Sequence, residues 1–273
     1  MYSILIAGGD MRQIKLAQML EEKGHQVSMA GFEKLGSSNK PDFKPDYVFL
    51  PIPYKNEDGS LKAPFAGGKL HLIDIAGDYP DSVYLLGGCD AAAIKIFGDS
   101  IRYIDLMQNE AYQIRNALLT AEGAVCAYLN NTDSALCDKA CLVTGYGRIS
   151  KFLCRLLRAC SAEVTAAARK DKDLELIALE GYRAVRIKDL RQALSEADVI
   201  FNTVPFHIFG EDEIQSIKKG AIYVELASPP YGMDLEAAKS MGVDVLMAPG
   251  LPGRFFPASA ANAILRAFEG EEQ

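Results

Sequence analysis

The sequence predicts an α/β protein made of two doubly wound domains with parallel sheets. Three observations carry this. Short apolar runs alternate with amphipathic helical stretches along the chain, the pattern of strands joined by crossover helices. The 273 residues exceed one typical domain and suffice for two, each able to bury its own core. A tight glycine turn, Gly145-Tyr146-Gly147, lies between an apolar strand and the start of an apolar helix.

In the first half, strands are expected at Tyr2–Ala7, Gln26–Ala30, Tyr47–Leu50, His71–Ile75, Val83–Leu86 and Arg102–Asp105. A helix runs from about Met11 to Lys23, where Gly24 ends it. Pro51 to Gly68 is rich in Pro, Gly, Asn and Asp without periodicity and reads as a loop. A long loop after a strand end is often part of a site. The first domain, 1–119, is therefore read as flavodoxin-like and as the substrate domain. A helix from Thr120 to Asn130 crosses into the second domain, 120–256, with strands at Ala140–Thr144, Glu163–Ala167, Val199–Thr203, Ala221–Leu226 and Val243–Met247. A last helix starts at Pro257, and the segment 257–273 is placed to pack back on the first domain.

Composition narrows the class of function. Lys and Arg total 29 and Asp and Glu 36, a formal charge of −7, which argues against a general nucleic-acid binder. No apolar run reaches the roughly 18 residues a membrane helix needs. The N-terminal run Met1–Ala7 lacks a basic flank and enters Gly8-Gly9, so it reads as a buried strand, not a signal peptide. The cytoplasm is the expected compartment. The six cysteines form no CxxC pair and have no histidine at zinc-ligand spacing, so no metal site is expected and the thiols read as reduced core residues.

The glycine turn carries the chemistry. In Ala140–Ser150 a strand gives way to Gly145, which permits the turn, and Gly147, which lets the backbone approach a pyrophosphate on the positive end of the following helix. The third fingerprint position is Ser150, small enough for close helix–strand packing. The context marks an NAD(P)-binding Rossmann domain, with Gly145, Tyr146, Gly147, Arg148 and Ile149 as cofactor-binding residues. The next strand ends without the acid that holds the ribose hydroxyls of NAD. Arg169 and Lys170 stand there instead and suit a 2′-phosphate, so the sequence favours NADP over NAD, although Asp171 and Asp173 follow closely. Asn202-Thr203-Val204-Pro205, Ala227 and Pro249-Gly250 end later strands, on the edge that faces the ligand crevice, and complete the expected cofactor set. Of the three histidines only His207 lies near that crevice, and packing under a helix is its expected fate.

The chain resembles the A-subunit family of dipicolinate synthase, NADP-linked dehydrogenases of bacterial spore formation. The matching stretches are Gly8-Gly9-Asp10-Met11-Arg12-Gln13, Thr120-Ala121-Glu122-Gly123, Gly145-Tyr146-Gly147-Arg148, Asn202-Thr203-Val204-Pro205, Leu226-Ala227-Ser228 and Ala248-Pro249-Gly250-Leu251-Pro252-Gly253. The resemblance implies oxidation of a dihydrodipicolinate ring, formed from 4-hydroxytetrahydrodipicolinate, to pyridine-2,6-dicarboxylate in the cytoplasm of the mother cell. It also implies a second protein component, a flavoprotein. The chain departs from the family pattern at Pro229-Pro230, where Arg and Gly are expected, at Glu225 in place of Asp, and after Gly253.

A two-carboxylate substrate in a cleft between the domains needs cationic or backbone donors. Arg12 and Gln13 are the first candidates, with Gly9 and Asp10 in the same turn, and Thr120 and Arg254 complete the expected substrate set. Thr120 and Glu122 also fit the first turn of a helix, as cap and dipole partner. Glu122 is the candidate general base, and Ser228 a candidate hydrogen-bond donor near the nicotinamide. Two other readings stay open: a cofactor-binding partner protein without turnover, and a diverged two-domain dehydrogenase acting on another dicarboxylate. A homo-oligomer is compatible with all three.

Overall fold

The computed structural model describes residues 1–36 and 41–271. The chain divides into two compact units, one formed by Met1–Asn116 with Pro252–Gln273, the other by Ala117–Leu251.

The first unit is a five-stranded parallel sheet with strands β1 (Ser3–Ala7), β2 (Gln26–Ala30), β3 (Tyr47–Phe49), β4 (Val83–Leu86) and β5 (Tyr103–Asp105), in the order β2-β1-β3-β4-β5. This is the flavodoxin order, with its switch point between β1 and β3. Helix α1 (Met11–Glu22) follows β1, α2 (Leu72–Asp78) and α3 (Ala91–Phe97) flank β4, and α4 (Glu110–Asn130) leads into the second unit. Both faces of the sheet are covered by apolar clusters. On one side Ile4, Ile6 and Phe49 pack with Leu16 and Leu20 of α1; on the other Leu5, Val48 and Tyr84 pack with Leu72, Ile75 and Phe97. Pro252–Gln273 closes this unit through α11 (Pro257–Glu271), which lies against α1. Phe268 of α11 sits edge-on to Tyr2, Tyr47 and Phe49 at centroid distances of 4.9–6.1 Å.

Two local expectations are corrected. His71–Ile75 is not a strand: Leu72, Ile75 and Ala76 are buried at helical spacing while Ile73 is exposed, and His71 precedes the helix. A short apolar run fits either period, and here the 3.6 period prevails. The crossover helix begins at Glu110, not Thr120, because Asn109 Oδ1 accepts the Tyr112 N–H at 2.9 Å and supplies the cap. Thr120 and Glu122 are thus interior helix residues, and the capping roles do not apply. The segment 51–68 is a loop, as expected, with no helix or strand, and hydrogen bonds hold it as a strap. Lys55 and Leu61 pair as an antiparallel bridge, and Tyr54 Oη donates to Asp90 at 2.7 Å.

The second unit is a six-stranded parallel sheet with β6 (Ala140–Thr144), β7 (Glu163–Ala168), β8 (Arg183–Arg186), β9 (Val199–Asn202), β10 (Ile222–Glu225) and β11 (Asp244–Met247). Read from β8, the order is β8-β7-β6-β9-β10-β11, the dinucleotide-binding order 3-2-1-4-5-6, with the switch point between β6 and β9. Its helices are α5 (Arg148–Ala159), α6 (Asp171–Leu179), α7 (Arg191–Glu196), α8 (Glu211–Gln215) and α9 (Leu235–Ser240), and α10 (Leu251–Phe255) follows β11. Leu142, Ile200 and Tyr223 of the sheet pack with Leu194, Ile214 and Met233. Strand β8 is the element the sequence hides. It is an edge strand bounded by exposed Arg183 and Arg186, and edge strands carry charge where central ones cannot.

The cysteines divide by burial. Cys141 and Cys154 are core residues, and burial pushes both thiols up to about 12. Cys137 and Cys160 are exposed, so the core reading is corrected for those two. Among the described residues no His, Cys, Asp and Glu group could hold a metal ion. No described helix is long and apolar enough to cross a membrane.

Candidate active site

The second unit places the glycine turn at the switch point. Gly145 leaves β6 with φ +89°, a conformation costly for any residue with a Cβ, and its N–H donates to Ala167 O at 2.8 Å. A Cβ on Gly145 would stand 2.6 Å from Thr203 Oγ1. Gly147 differs. Its backbone is extended and a Cβ there would meet nothing within 4 Å. It faces a cavity of about 780 Å³ that is also lined by Tyr146, Arg169, Lys170, Val204 and His207. The first turn of α5 begins at this point.

Ser150, the unusual third fingerprint residue, is buried and lies 2.8 Å from Thr203 Oγ1. Thr203 Oγ1 itself donates to Thr144 O at 2.7 Å, so the Ser150 hydroxyl is the donor of the pair. The serine therefore pins α5 to the ends of β6 and β9, a link that Gly or Ala cannot make.

Behind the turn lies a buried polar network. Asn202 Oδ1 accepts from Thr144 Oγ1 at 2.7 Å and from Val204 N–H at 3.1 Å. Asn202 Nδ2 donates to Glu225 Oε1 at 2.8 Å and to Val204 O at 3.0 Å. Glu225 also accepts from Ala227 N–H, Tyr223 Oη and Gly232 N–H at 2.8–2.9 Å. Four donors surround one buried carboxylate and tie the ends of β6, β9 and β10 together. Both Asn202 and Glu225 are fully buried. Asn202 thus positions the strand ends, with its hydrogen-bonding capacity committed inside the protein.

Where the next two strands end, the cavity wall is cationic. Arg169 and Lys170 are exposed at the end of β7, and Arg186 and Lys188 join them from β8 and the turn after it. Asp171 is ion-paired with Arg186, which removes one of the two nearby acids as a competitor. Asp173 remains on the lining. Arg186 and Lys188 were not legible as site residues because β8 was not, and the exposed Phe206 follows the strand end after Pro205. Arg148 and Ile149 open α5 behind the turn, while Pro205, Ala227, Ser228, Pro249 and Gly250 occupy strand-end loops outside the lining. His207 is exposed rather than packed under a helix, and its Nε2 donates to Pro230 O at 2.9 Å. Glu122 is half-buried on α4, on the turn that contains Gly123. A Cβ on Gly123 would stand 2.7 Å from Leu251 Cβ, so that glycine serves helix packing.

The first unit has its own built site at the end of β1. Gly8 and Gly9 both take positive φ, and the Gly9 N–H donates to Lys62 O at 2.7 Å. Asp10 caps α1 in a capping box in which Gln13 Oε1 accepts the Asp10 N–H at 3.0 Å. Gln13 is buried and a Cβ on Gly9 would collide with it, so the glycine seats the box. Arg12 grips Asp10 through Nε and Nη2 at 2.9 Å and donates from Nη2 to Ile52 O at 2.7 Å. Burial works against the Asp10 charge, but the Arg12 hydrogen bonds and charge prevail and hold the carboxyl below its ordinary value. Gly253 packs on this pair: a Cβ there would stand 2.8 Å from Asp10 Oδ2 and 2.9 Å from Arg12 Nε. Arg254 is exposed, with its guanidinium 5.1 Å from the Phe255 ring. A cavity of about 460 Å³ opens beside Gly9, Asp10 and Arg12, bounded on the far side by the 51–68 strap.

Two family models match the chain in succession. Residues 3–107 match the family described as the N-terminal domain of the dipicolinate synthase A-subunit. Residues 104–229 match the NAD binding domain of D-isomer specific 2-hydroxyacid dehydrogenases. The dipicolinate synthase A-subunit of Bacillus subtilis (strain 168) is 24% identical over 96% of this chain and 92% of its own length. The crystal structure of the dipicolinate synthase A-subunit from Bacillus halodurans superposes with a TM-score of 0.86 at 26% identity, covering 98% of this chain and 97% of that one. A transhydrogenase from Sinorhizobium meliloti shares the fold, with a TM-score of 0.70 at 15% identity over 99% of this chain and 93% of that one. With a dehydrogenase NAD(P)-binding domain in its second half, the chain is a dehydrogenase, similar over nearly its whole length to A-subunits of dipicolinate synthase.

Proposed function

We propose that the chain is an NADP-dependent dehydrogenase that converts a dihydrodipicolinate ring to pyridine-2,6-dicarboxylate. The observation that carries the nucleotide half of this reading is the cradle at Gly147: open space where a Cβ would stand, at the switch point and at the head of α5. A pyrophosphate fits a cradle of this shape and its N–H donors. Bound NADP+ would supply the hydride acceptor, so that a ring giving up a hydride and a proton would yield NADPH, H+ and the aromatic dicarboxylate. Gly145, Tyr146, Gly147, Arg148 and Ile149 form the turn, and Thr203, Val204, Pro205, Ala227, Pro249 and Gly250 shape the strand-end rim. Glu122 is assigned the proton and Ser228 a hydrogen bond at the reacting ring. Aromatisation itself favours the product, which lowers the demand on any single acid or base.

Substrate recognition is assigned to the first unit, at Gly9, Asp10 and Arg12, with Arg254 as an outer contact, whereas Thr120 is an interior residue of α4 in the second unit. Gln13 acts there through the capping box, not as a direct donor.

The choice of NADP rests on the cationic wall. With Asp171 paired to Arg186, the charge at the end of β7 favours a phosphate over bare ribose hydroxyls. Arg169→Ala is expected to weaken NADPH binding by roughly tenfold to a hundredfold, the size of a charged hydrogen bond. NADH binding should change by less than about threefold, within the spread for a surface charge. Parallel titrations followed by nicotinamide fluorescence measure both. Equal losses for the two nucleotides remove Arg169 from the 2′-phosphate role.

A second reading is favoured by one feature. Pro229 and Pro230 stand where the family pattern has Arg and Gly, and a chain lacking that cation suits a cofactor-binding protein that works only with a flavoprotein partner. Turnover by the purified chain alone decides against it.

A further inference from the structure

The 460 Å³ cavity of the first unit has a size typical of small-molecule sites, and its charges can be assigned one by one. Its cations are Arg12, Lys62 and Lys69, and its acids are Asp10 and Asp58. Arg12 is paired with Asp10 at 2.9 Å, and Lys69 with Asp58 at 2.6 Å. Lys62 is left over: no ion pair or side-chain hydrogen bond holds its ammonium among the described residues. It is half-buried, and burial, with the Arg12 charge beside it, pushes its pKa below the ordinary lysine value. A half-buried, unpaired ammonium is costly to the folded protein on its own.

The backbone around Lys62 is fixed on both sides. Lys62 O accepts the Gly9 N–H at 2.7 Å, Lys62 N–H donates to Tyr54 O at 3.0 Å, and Leu61 N–H donates to Leu70 O at 2.8 Å. The strap is anchored in turn through Tyr54 and Lys55 to Asp90. This holds the root of the side chain at the cavity wall, so little backbone ordering is required when an anion enters.

We propose that Lys62 is the principal carboxylate-binding residue of this cavity, and that Arg12, already committed to Asp10 and Ile52 O, positions the wall around it. The site takes one carboxylate of a small organic acid, since one cation is left unpaired. The substrate reading above supplies the expected acid, and to that extent the inference rests on it. It replaces Arg12, the residue the sequence points to, with one it does not mark.

Isothermal titration of the full chain tests this, with pyridine-2,6-dicarboxylate, pyridine-2-carboxylate and succinate as probes. Lys62→Met is expected to weaken binding of a carboxylate probe by roughly tenfold to a hundredfold, and Lys62→Arg to restore most of it. Lys95→Met, an exposed lysine of α3 remote from the cavity lining, should bind as the parent chain does. Unliganded melting curves confirm that each variant is folded. Binding by Lys62→Met within about twofold of the parent overturns the proposal, as does failure of the parent to bind any of the three acids. Lys62-dependent binding of succinate but not of the pyridine acids upholds the role of Lys62 and sinks the substrate reading. Binding of the pyridine acids without Lys62 dependence does the reverse.

Discussion

Gly147→Val is expected to abolish nucleotide binding while leaving the chain folded. A Cβ at Gly147 meets nothing within 4 Å, and the backbone there is extended, so the first side-chain carbon adds neither a clash nor backbone strain. The added methyl groups enter the space assigned to the pyrophosphate. They block its contact with the N–H groups at the start of α5, where each charge-assisted hydrogen bond contributes about 1.5–3 kcal/mol. Loss of two such bonds lowers affinity by about a hundredfold or more. Titration with NADPH, alongside a melting curve of the unliganded variant, separates binding from folding. A folded Gly147→Val chain that binds NADPH as tightly as the parent shows that the glycine turn serves the fold alone. Gly145 cannot give so clean an answer, because its positive φ and the nearby Thr203 hydroxyl penalise any side chain in the folded state.

Removing the Glu225 carboxylate is the substitution expected to cost most stability. Glu225→Ala leaves Asn202 Nδ2, Tyr223 Oη and the N–H groups of Ala227 and Gly232 facing a void. Each orphaned buried donor costs about 1–3 kcal/mol, and partial relaxation and water entry recover some of it. The net loss should be about 4 kcal/mol or more, in the range reserved for disrupted buried networks. Urea unfolding followed by a probe within the second unit measures it, since two units need not unfold in one step. A loss below about 1 kcal/mol would show that the network is already bridged by solvent. Asn202→Leu should weaken the same unit by a smaller amount, because Thr144 and Glu225 each lose one of their partners.

How far the sequence reaches can be judged from these residues. The central strands of both sheets were legible, because buried parallel strands are short, apolar and bounded by glycine or helix starts. Gly145 and Gly147 were legible as a glycine turn between a strand and a helix. Strand β8 was not, since an exposed edge bounded by arginines does not look like a strand, and with it went Arg186, Lys188 and the neutralisation of Asp171. The start of α4 was misplaced by ten residues, from Thr120 to Glu110, because a plausible cap occurs inside the helix while the actual one is Asn109. The Thr144–Asn202–Glu225 network joins residues 58 and 23 positions apart, so no local pattern announces it. Lys62 was hidden most completely. Its importance depends on which other cations are paired, and pairing is a property of the folded strap.

Hydride transfer from a dihydropyridine dicarboxylate to a nucleotide held on the Gly145 turn is the reaction on which the proposed function stands. The most direct measurement supplies the purified full chain with NADP+ and freshly generated 4-hydroxytetrahydrodipicolinate, and follows NADPH absorbance together with pyridine-2,6-dicarboxylate by chromatography. NADPH and the pyridine acid are expected in equal amounts, and Gly147→Val should produce neither above the rate without protein. Pyridine acid formed without NADPH, or at the same rate with the parent and the Gly147→Val chain, contradicts hydride transfer at this turn.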